Sequence, residues 1–256
     1  MTADRIRTLT IEAFVIRHRD WGESDRIITT YSKELGKARL VIKGARKIQS
    51  RKAGHLEPFS RVRMQLSRTS DLPIVTQVET ITSFQPLKEN LDLIVKASYL
   101  AELVEKFTQE DQEGEPPLFR LISDTLDRLM DPQRSWNALR FFENRILDIS
   151  GYRPEFFNCV ECHKEIIQED QFFAPSSGGV VCANCGISKP GMWKMPAKTL
   201  KYLRFFQKNS FNDYARTRLS EEERILIETF YQNYIKYLLE KNLNTSDFMR
   251  AIEGNR

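Results

Sequence analysis

Two cysteine pairs, Cys159-Val160-Glu161-Cys162 and Cys182-Ala183-Asn184-Cys185, stand nineteen residues apart and constrain this chain more than any other feature. A Cys-x-x-Cys turn bends the backbone enough to present both sulfurs to one ion, and Zn2+ accepts four tetrahedral thiolates. Between the pairs, Gln171-Phe172-Phe173 and Gly178-Gly179-Val180-Val181 read as the hairpin of a zinc ribbon. The alternative is two unrelated pairs of buried or redox thiols. Four cysteines in 256 residues, grouped in this way, do not resemble a disulfide scaffold, and a reducing compartment keeps them as ligands. Four thiolates fill the coordination sphere and leave no position for a reactive water. The expected Zn2+ is therefore structural.

A second pattern overlaps the first. His163-Lys164-Glu165 followed by Cys182-Ala183-Asn184-Cys185 resembles the HxE and PCxxC signature of zinc deaminases. Val181 stands where the proline should be, only sixteen residues separate Glu165 from Cys182, and Cys159 and Cys162 would have no role. The sequence also contains no GxxxxGK[ST], GxGxxG, GxSxG or HExxH motif. No catalytic residue is expected, and the chain reads as a non-enzyme. His18 and His55 read as surface or nucleic-acid contacts.

The first 85 residues carry short runs rich in Val, Ile, Thr and Leu at 9–18, 25–32, 37–43, 61–68 and 73–84, with Gly22, Gly36 and Gly44 as turns between strands. Five such strands predict a small β-barrel of OB-like type. After residue 86 the apolar spacing becomes helical: Leu91 to Phe107, Leu118 to Met130 and Trp136 to Ile149, the last closed by Gly151. A loop follows Glu110. Ser220-Glu221-Glu222-Glu223 has capping-box form and opens a helix to about Lys241. The expected fold is thus α+β multidomain: an OB-like β-barrel over 1–85, then an all-α domain over 86–256, interrupted at about 155–192 by the inserted four-cysteine zinc ribbon.

Charge is distributed unevenly. Residues 1–80 hold 16 Lys+Arg against 9 Asp+Glu, whereas the remaining 176 hold 23 against 26. From Lys37 to Arg68 there are ten basic residues and one acid, Glu57. Alternation puts Lys37, Arg39 and Lys43 on one strand face opposite Ala38, Leu40 and Ile42; it also turns Arg61 and Arg63 away from Val62, Met64 and Leu66. Between those strands Gly44 to Lys52 supplies Arg46, Lys47, Arg51 and Lys52. These nine cations are the candidate phosphate contacts. Trp21, Tyr31 and Phe59 are candidate platforms for bases, although aromatics in a small barrel are more often core. No run approaches the ~20 apolar residues of a membrane span, and the N-terminus has no continuous apolar segment of signal-peptide type. A cytoplasmic protein with no membrane partner is expected.

Gly44-Ala45-Arg46-Lys47 with Ser50, then Gly54-His55-Leu56-Glu57-Pro58-Phe59, resembles the N-terminal signature of the bacterial RecO recombination-repair mediators. Ala13 to Arg17, Glu23-Ser24-Asp25, Ser98 to Leu103, Phe141-Phe142-Glu143, Gly151 to Pro154 and Gly178 to Cys182 extend the resemblance over about 175 residues in the family's order. The resemblance implies an OB fold that binds single- and double-stranded DNA, a helical domain with a zinc module, and nucleoid association without enzymatic turnover. It also implies strand annealing, cooperation with RecR in loading recombinase, and docking of the acidic C-terminal tail of single-strand DNA-binding protein, for which Arg140 and Arg145 are candidate contacts. His163 replaces the family's usual glycine after the second cysteine. An RNA-binding or transcription-associated module with a barrel and a ribbon is the alternative reading of the composition.

Overall fold

The computed structural model describes residues 8–67, 72–110 and 112–239. Its contacts divide the chain after Pro132 into two compact units. In the first, β1 (Thr8–Trp21), β2 (Asp25–Ser32), β3 (Gly36–Ile42), β4 (Arg61–Ser67) and β5 (Ile74–Thr82) form a five-stranded sheet. Its order is β1-β2-β3-β5-β4, and β4 pairs again with β1 from Thr8↔Ser67 to Phe14↔Arg61. The pairings therefore run round a full cycle. One link is thin, because β3 meets β5 through a single parallel pair, Val41↔Ile74.

Sequence alternation explains the sheet's interior. Ile11, Ala13, Val15, Ile28, Leu40, Ile42, Val62, Met64, Leu66 and Val75 are buried together, and burying each large apolar side chain contributes about 1.5–3 kcal/mol. β4 keeps period two along its length, with Arg61, Arg63 and Gln65 less buried than their neighbours. β1 breaks the rule. Phe14 and Ile16 are buried as well as Ala13 and Val15, because the ring of Phe14 packs 4.9 Å from Phe119 on a helix outside the sheet. A register shift between Val15 and Arg17 in the pairing with β2 lies just past Phe14, where the pairing with β4 ends, and has the form of a bulge.

The change from strand to helix falls between Thr82 and Gln85, and α1 (Gln85–Glu89), α2 (Leu91–Phe107) and α3 (Pro116–Leu129) belong to the same compact unit as the sheet. The Asn90 side chain caps α2 by accepting from the N–H groups of Asp92 and Leu93 at 3.0 and 3.2 Å. The segment joining α2 to α3 lies on the β2–β3 turn. There the Glu115 N–H donates to Tyr31 Oη at 3.0 Å, and Glu110 bridges Lys37. The approach is close enough to require glycine: a Cβ added at Gly114 would overlap the Ser32 carbonyl oxygen.

The second unit holds α4 (Ser135–Ile149), a three-stranded sheet in the order β7-β6-β8 made from β6 (Gln171–Ala174), β7 (Gly179–Val181) and β8 (Trp193–Met195), then α5 (Ala183–Gly186), α6 (Ala197–Lys208), α7 (Phe211–Arg216) and α8 (Glu221–Leu239). The capping box at Ser220 is present: Ser220 N–H donates to Glu223 Oε2 at 2.7 Å, and Glu223 N–H to Ser220 Oγ at 3.4 Å. Lys241, the expected end of α8, lies outside the described residues. An aromatic cluster fixes the small sheet on α8, with the Phe173 centroid 4.9 Å from Phe230, 5.2 Å from Tyr234 and 5.7 Å from Trp193. No described helix is long and apolar enough to cross a membrane.

Gly114→Ala should destabilise the chain by about 1–3 kcal/mol, the cost of a backbone overlap. Gly54→Ala, where an added Cβ meets nothing within 4 Å, should leave stability nearly unchanged. Urea denaturation of both variants checks the pair.

Candidate metal centre and basic surface

The expected hairpin brings the cysteines together. Cys159 and Cys162 lie in a tight turn closed by the Cys159 N–H to Lys164 carbonyl bond and the His163 N–H to Cys159 carbonyl bond, each 2.8 Å. This turn is stitched to β7 by the Val160 N–H to Val180 carbonyl bond at 3.0 Å, and Gly179 lets Val160 approach where a Cβ would overlap its side chain. Cys182 follows β7 directly and stands at the N-cap of the short α5, which carries Cys185. The four sulfurs lie within 4.8 Å of one another, and Cys162 Sγ is 3.8 Å from Cys182 Sγ. A tetrahedron with metal–sulfur bonds of about 2.3 Å has edges of about 3.8 Å. The donor set therefore fits one thiolate-bound metal ion.

Protonation supports the same use. Burial pushes the Cys159 thiol up, but the backbone N–H groups of Cys162, Cys182 and Glu161 outweigh it and bring the group to about 6. Hydrogen bonds that the Cys185 thiol donates to the Cys182 and Cys162 sulfurs, with burial, push it up to about 12. Four thiolates in this volume repel one another unless a cation sits among them. His163 is not part of the four-sulfur group, which removes the deaminase reading. It is instead a turn residue, at φ 61 in the left-handed region.

The basic residues are brought to the first unit's surface, but most are already partnered. The Lys37 ammonium donates to the carbonyls of Glu105, at 2.7 Å, and Thr108, and burial holds its pKa below the usual lysine range. Arg61 pairs with Glu12 and lies over the rings of Phe14 and Phe119. Both are half-buried and serve the fold. Arg39 pairs with Glu110 at 2.8 Å, Lys43 with Asp25 at 2.8 Å, Arg46 with Asp20 at 3.2 Å and Arg63 with Glu79 at 2.7 Å, all at exposed positions. The Lys43 contact and the Gly44 N–H hold the Asp25 carboxyl below its usual range. Lys52 donates to the Val75 carbonyl at 3.0 Å. Lys47 and Arg51 are exposed, and no partner for either is found among the described residues. Sequence reasoning missed the counter-ions, yet register announces two of them: Arg63 faces Glu12 on β1 and Glu79 on β5.

Arg140 requires correction as a surface contact. Arg140 is 1% exposed, between Glu143 at 2.6 Å and Glu228 at 2.8 Å. Arg145 donates to the carbonyls of Gln207 and Asn209 at the end of α6. Arg140 is an interior cation of the helical core, whereas Arg145 is part-buried, with 26% of its side chain exposed. Periodicity places them on a helix but does not show which face the later helices cover.

Two family descriptions match the chain in succession, "Recombination protein O N terminal" over residues 6–84 and "Recombination protein O C terminal" over 88–247. The chain belongs to the RecO family of DNA repair proteins. It is similar to the DNA repair protein RecO of Dehalococcoides mccartyi, 34% identical over 230 residues and 90% of each chain. The protein of the same name from Desulforamulus reducens is 33% identical over 241 residues and 93% of each. That of Roseiflexus is 32% identical over 246 residues, 96% of this chain and 86% of its own.

His163 fills a left-handed position that glycine adopts without strain. His163→Val should lower stability by about 1–3 kcal/mol, because a β-branched residue fits that region worst. His163→Gly should match or exceed the parent. Urea unfolding at equal metal content reads the order.

Proposed function

We propose that the chain is a non-enzymatic DNA-binding and strand-annealing mediator of recombinational repair, with an OB-like barrel as its DNA-binding part and structural Zn2+ on Cys159, Cys162, Cys182 and Cys185. The β1-β2-β3-β5-β4 order and the return of β4 to β1 support the OB-like reading. The observation that carries DNA binding is the Gly44–Lys52 loop, where Lys47 and Arg51 stand exposed beside Arg46. Cations in that state attract phosphates and release counterions, with little regard to base sequence.

Phosphates would reach the remaining candidates by exchange. Exposed ion pairs contribute about 0.2–1 kcal/mol each, so a polyanion displaces Glu110, Asp25 or Glu79 from Arg39, Lys43 or Arg63 at small cost. Lys37 and Arg61 hold that face in shape. Annealing follows from the same charge: two strands that repel in water meet on a surface that lowers their repulsion, with bases left free to pair. Cooperation with RecR and docking of the acidic tail of single-strand DNA-binding protein come from the family resemblance, and a cytoplasmic, nucleoid-associated site of action accords with them.

Affinity for single- and double-stranded oligonucleotides should fall severalfold when salt is doubled, and Lys47→Glu with Arg51→Glu should weaken both about tenfold or more. The same double variant should slow annealing of complementary strands coated with single-strand DNA-binding protein. A salt-independent affinity overturns the reading. Native mass spectrometry should find one Zn2+ per chain. Cys182→Ser should release it and lower the melting temperature of the second unit while DNA affinity largely persists.

A further inference from the structure

Three aromatic residues of the first unit are candidates to meet bases, and burial separates them. Tyr31 is 2% exposed, with its hydroxyl accepting from Glu115, and Phe59 is 8% exposed. Trp21 is 52% exposed. It ends β1, and Gly22 turns the chain away at φ 59. The Arg19 guanidinium lies over one face of the ring, 5.5 Å from its centroid, which orients the indole and leaves the opposite face for a base.

The basic loop is anchored to this same turn. Arg46 N–H donates to the Ser24 carbonyl at 2.9 Å and Gly44 N–H to Asp25 Oδ1 at 2.8 Å. The Arg46 guanidinium reaches the Gly22 carbonyl at 3.1 Å and pairs with Asp20. Two residues beyond Arg46, Ile48 projects fully into solvent between Lys47 and Arg51. One rim of the sheet thus carries an exposed indole, an exposed aliphatic side chain and the two exposed cations with no partner found among the described residues. Of the strand cations, Arg39, Arg61 and Arg63 are paired with carboxylates, and Lys37 donates to carbonyls.

We infer that this rim binds single-stranded nucleic acid by stacking an unpaired base on Trp21, with Ile48 against the base or sugar and Lys47 and Arg51 on the flanking phosphates. The inference rests on the DNA-binding reading above and adds to it a discriminating residue. Phosphates alone do not distinguish one strand from two. A duplex conceals the faces of its bases, whereas an unpaired base presents a π-face of the size and polarity that an exposed indole matches. The cations supply affinity for the backbone, and Trp21 supplies preference for the unpaired state.

The test compares three probes on the full chain: a deoxythymidine strand, an abasic strand of equal length and a duplex. The parent should bind the base-bearing strand more tightly than the abasic one. Trp21→Ala should remove that difference, weakening the thymidine strand about tenfold or more, the scale of one base–aromatic stack. Abasic and duplex affinities, and the salt slopes, should be unchanged. Trp21→Phe, which keeps an aromatic face, should retain most of the preference. If Trp21→Ala leaves the preference intact, or weakens all three probes alike, the stacking inference falls and DNA binding stands. If the parent binds none of the probes, both fall.

Discussion

Crowded positive charge shapes the first unit. Its sheet brings lysines and arginines from strands β2 to β4 onto a small outer surface, and each strand side chain that approaches another cation is met by an acceptor. Glu12 stands beside Arg61 and Arg63, Glu110 beside Arg39, and the carbonyls ending α2 receive Lys37. The segment joining α2 to α3 can lie against the β2–β3 turn because of this pairing. The loop after β3 is different: its cations at 47 and 51 are exposed, with no carboxylate partner found among the described residues. The surface potential that remains is a rim, not a face.

In the second unit the problem has the opposite sign. Four thiol groups share a volume that admits few negative charges; backbone N–H groups make one of them easily ionised, and hydrogen bonds to neighbouring sulfurs make another resist ionisation. A bound dication would resolve this arrangement. Around it the protein supplies rigidity through hydrophobic contact, with Phe173 and Trp193 of the small sheet locked against Phe230 and Tyr234 of α8. The cysteine-bearing turns adjoin a sheet that is fixed by aromatic packing. They therefore do not rely on the sulfur atoms alone for their place.

Much of this was legible in the sequence, for identifiable reasons. Strands and hairpins follow from local alternation and from glycines such as Gly22 and Gly36, which take positive φ, and the cysteine spacing encodes its own geometry. The capping box at Ser220 predicts the start of α8 because the interaction spans four residues. What escaped depends on distant partners. Nothing near Arg140 in sequence reveals Glu228, and nothing near Arg39 reveals Glu110 across 71 residues. The helix α7 escaped for a different reason: its capping box, Ser210 with Asp213, uses a shorter acid than the usual glutamate and opens a helix of only six residues. Charge patterning located the basic region, whereas the division of that region into structural and available cations required the fold.

The single Val41↔Ile74 link between β3 and β5 gives the ring of strands one soft direction. Every other junction is a zipper of many hydrogen bonds and resists being pulled apart, but this one behaves as a clasp. A ring closed by one pair is weakest at that place. The strand at that junction, β3, carries Arg39 and leads into the basic loop, so the weakest seam of the ring lies on the strand that delivers the exposed cations.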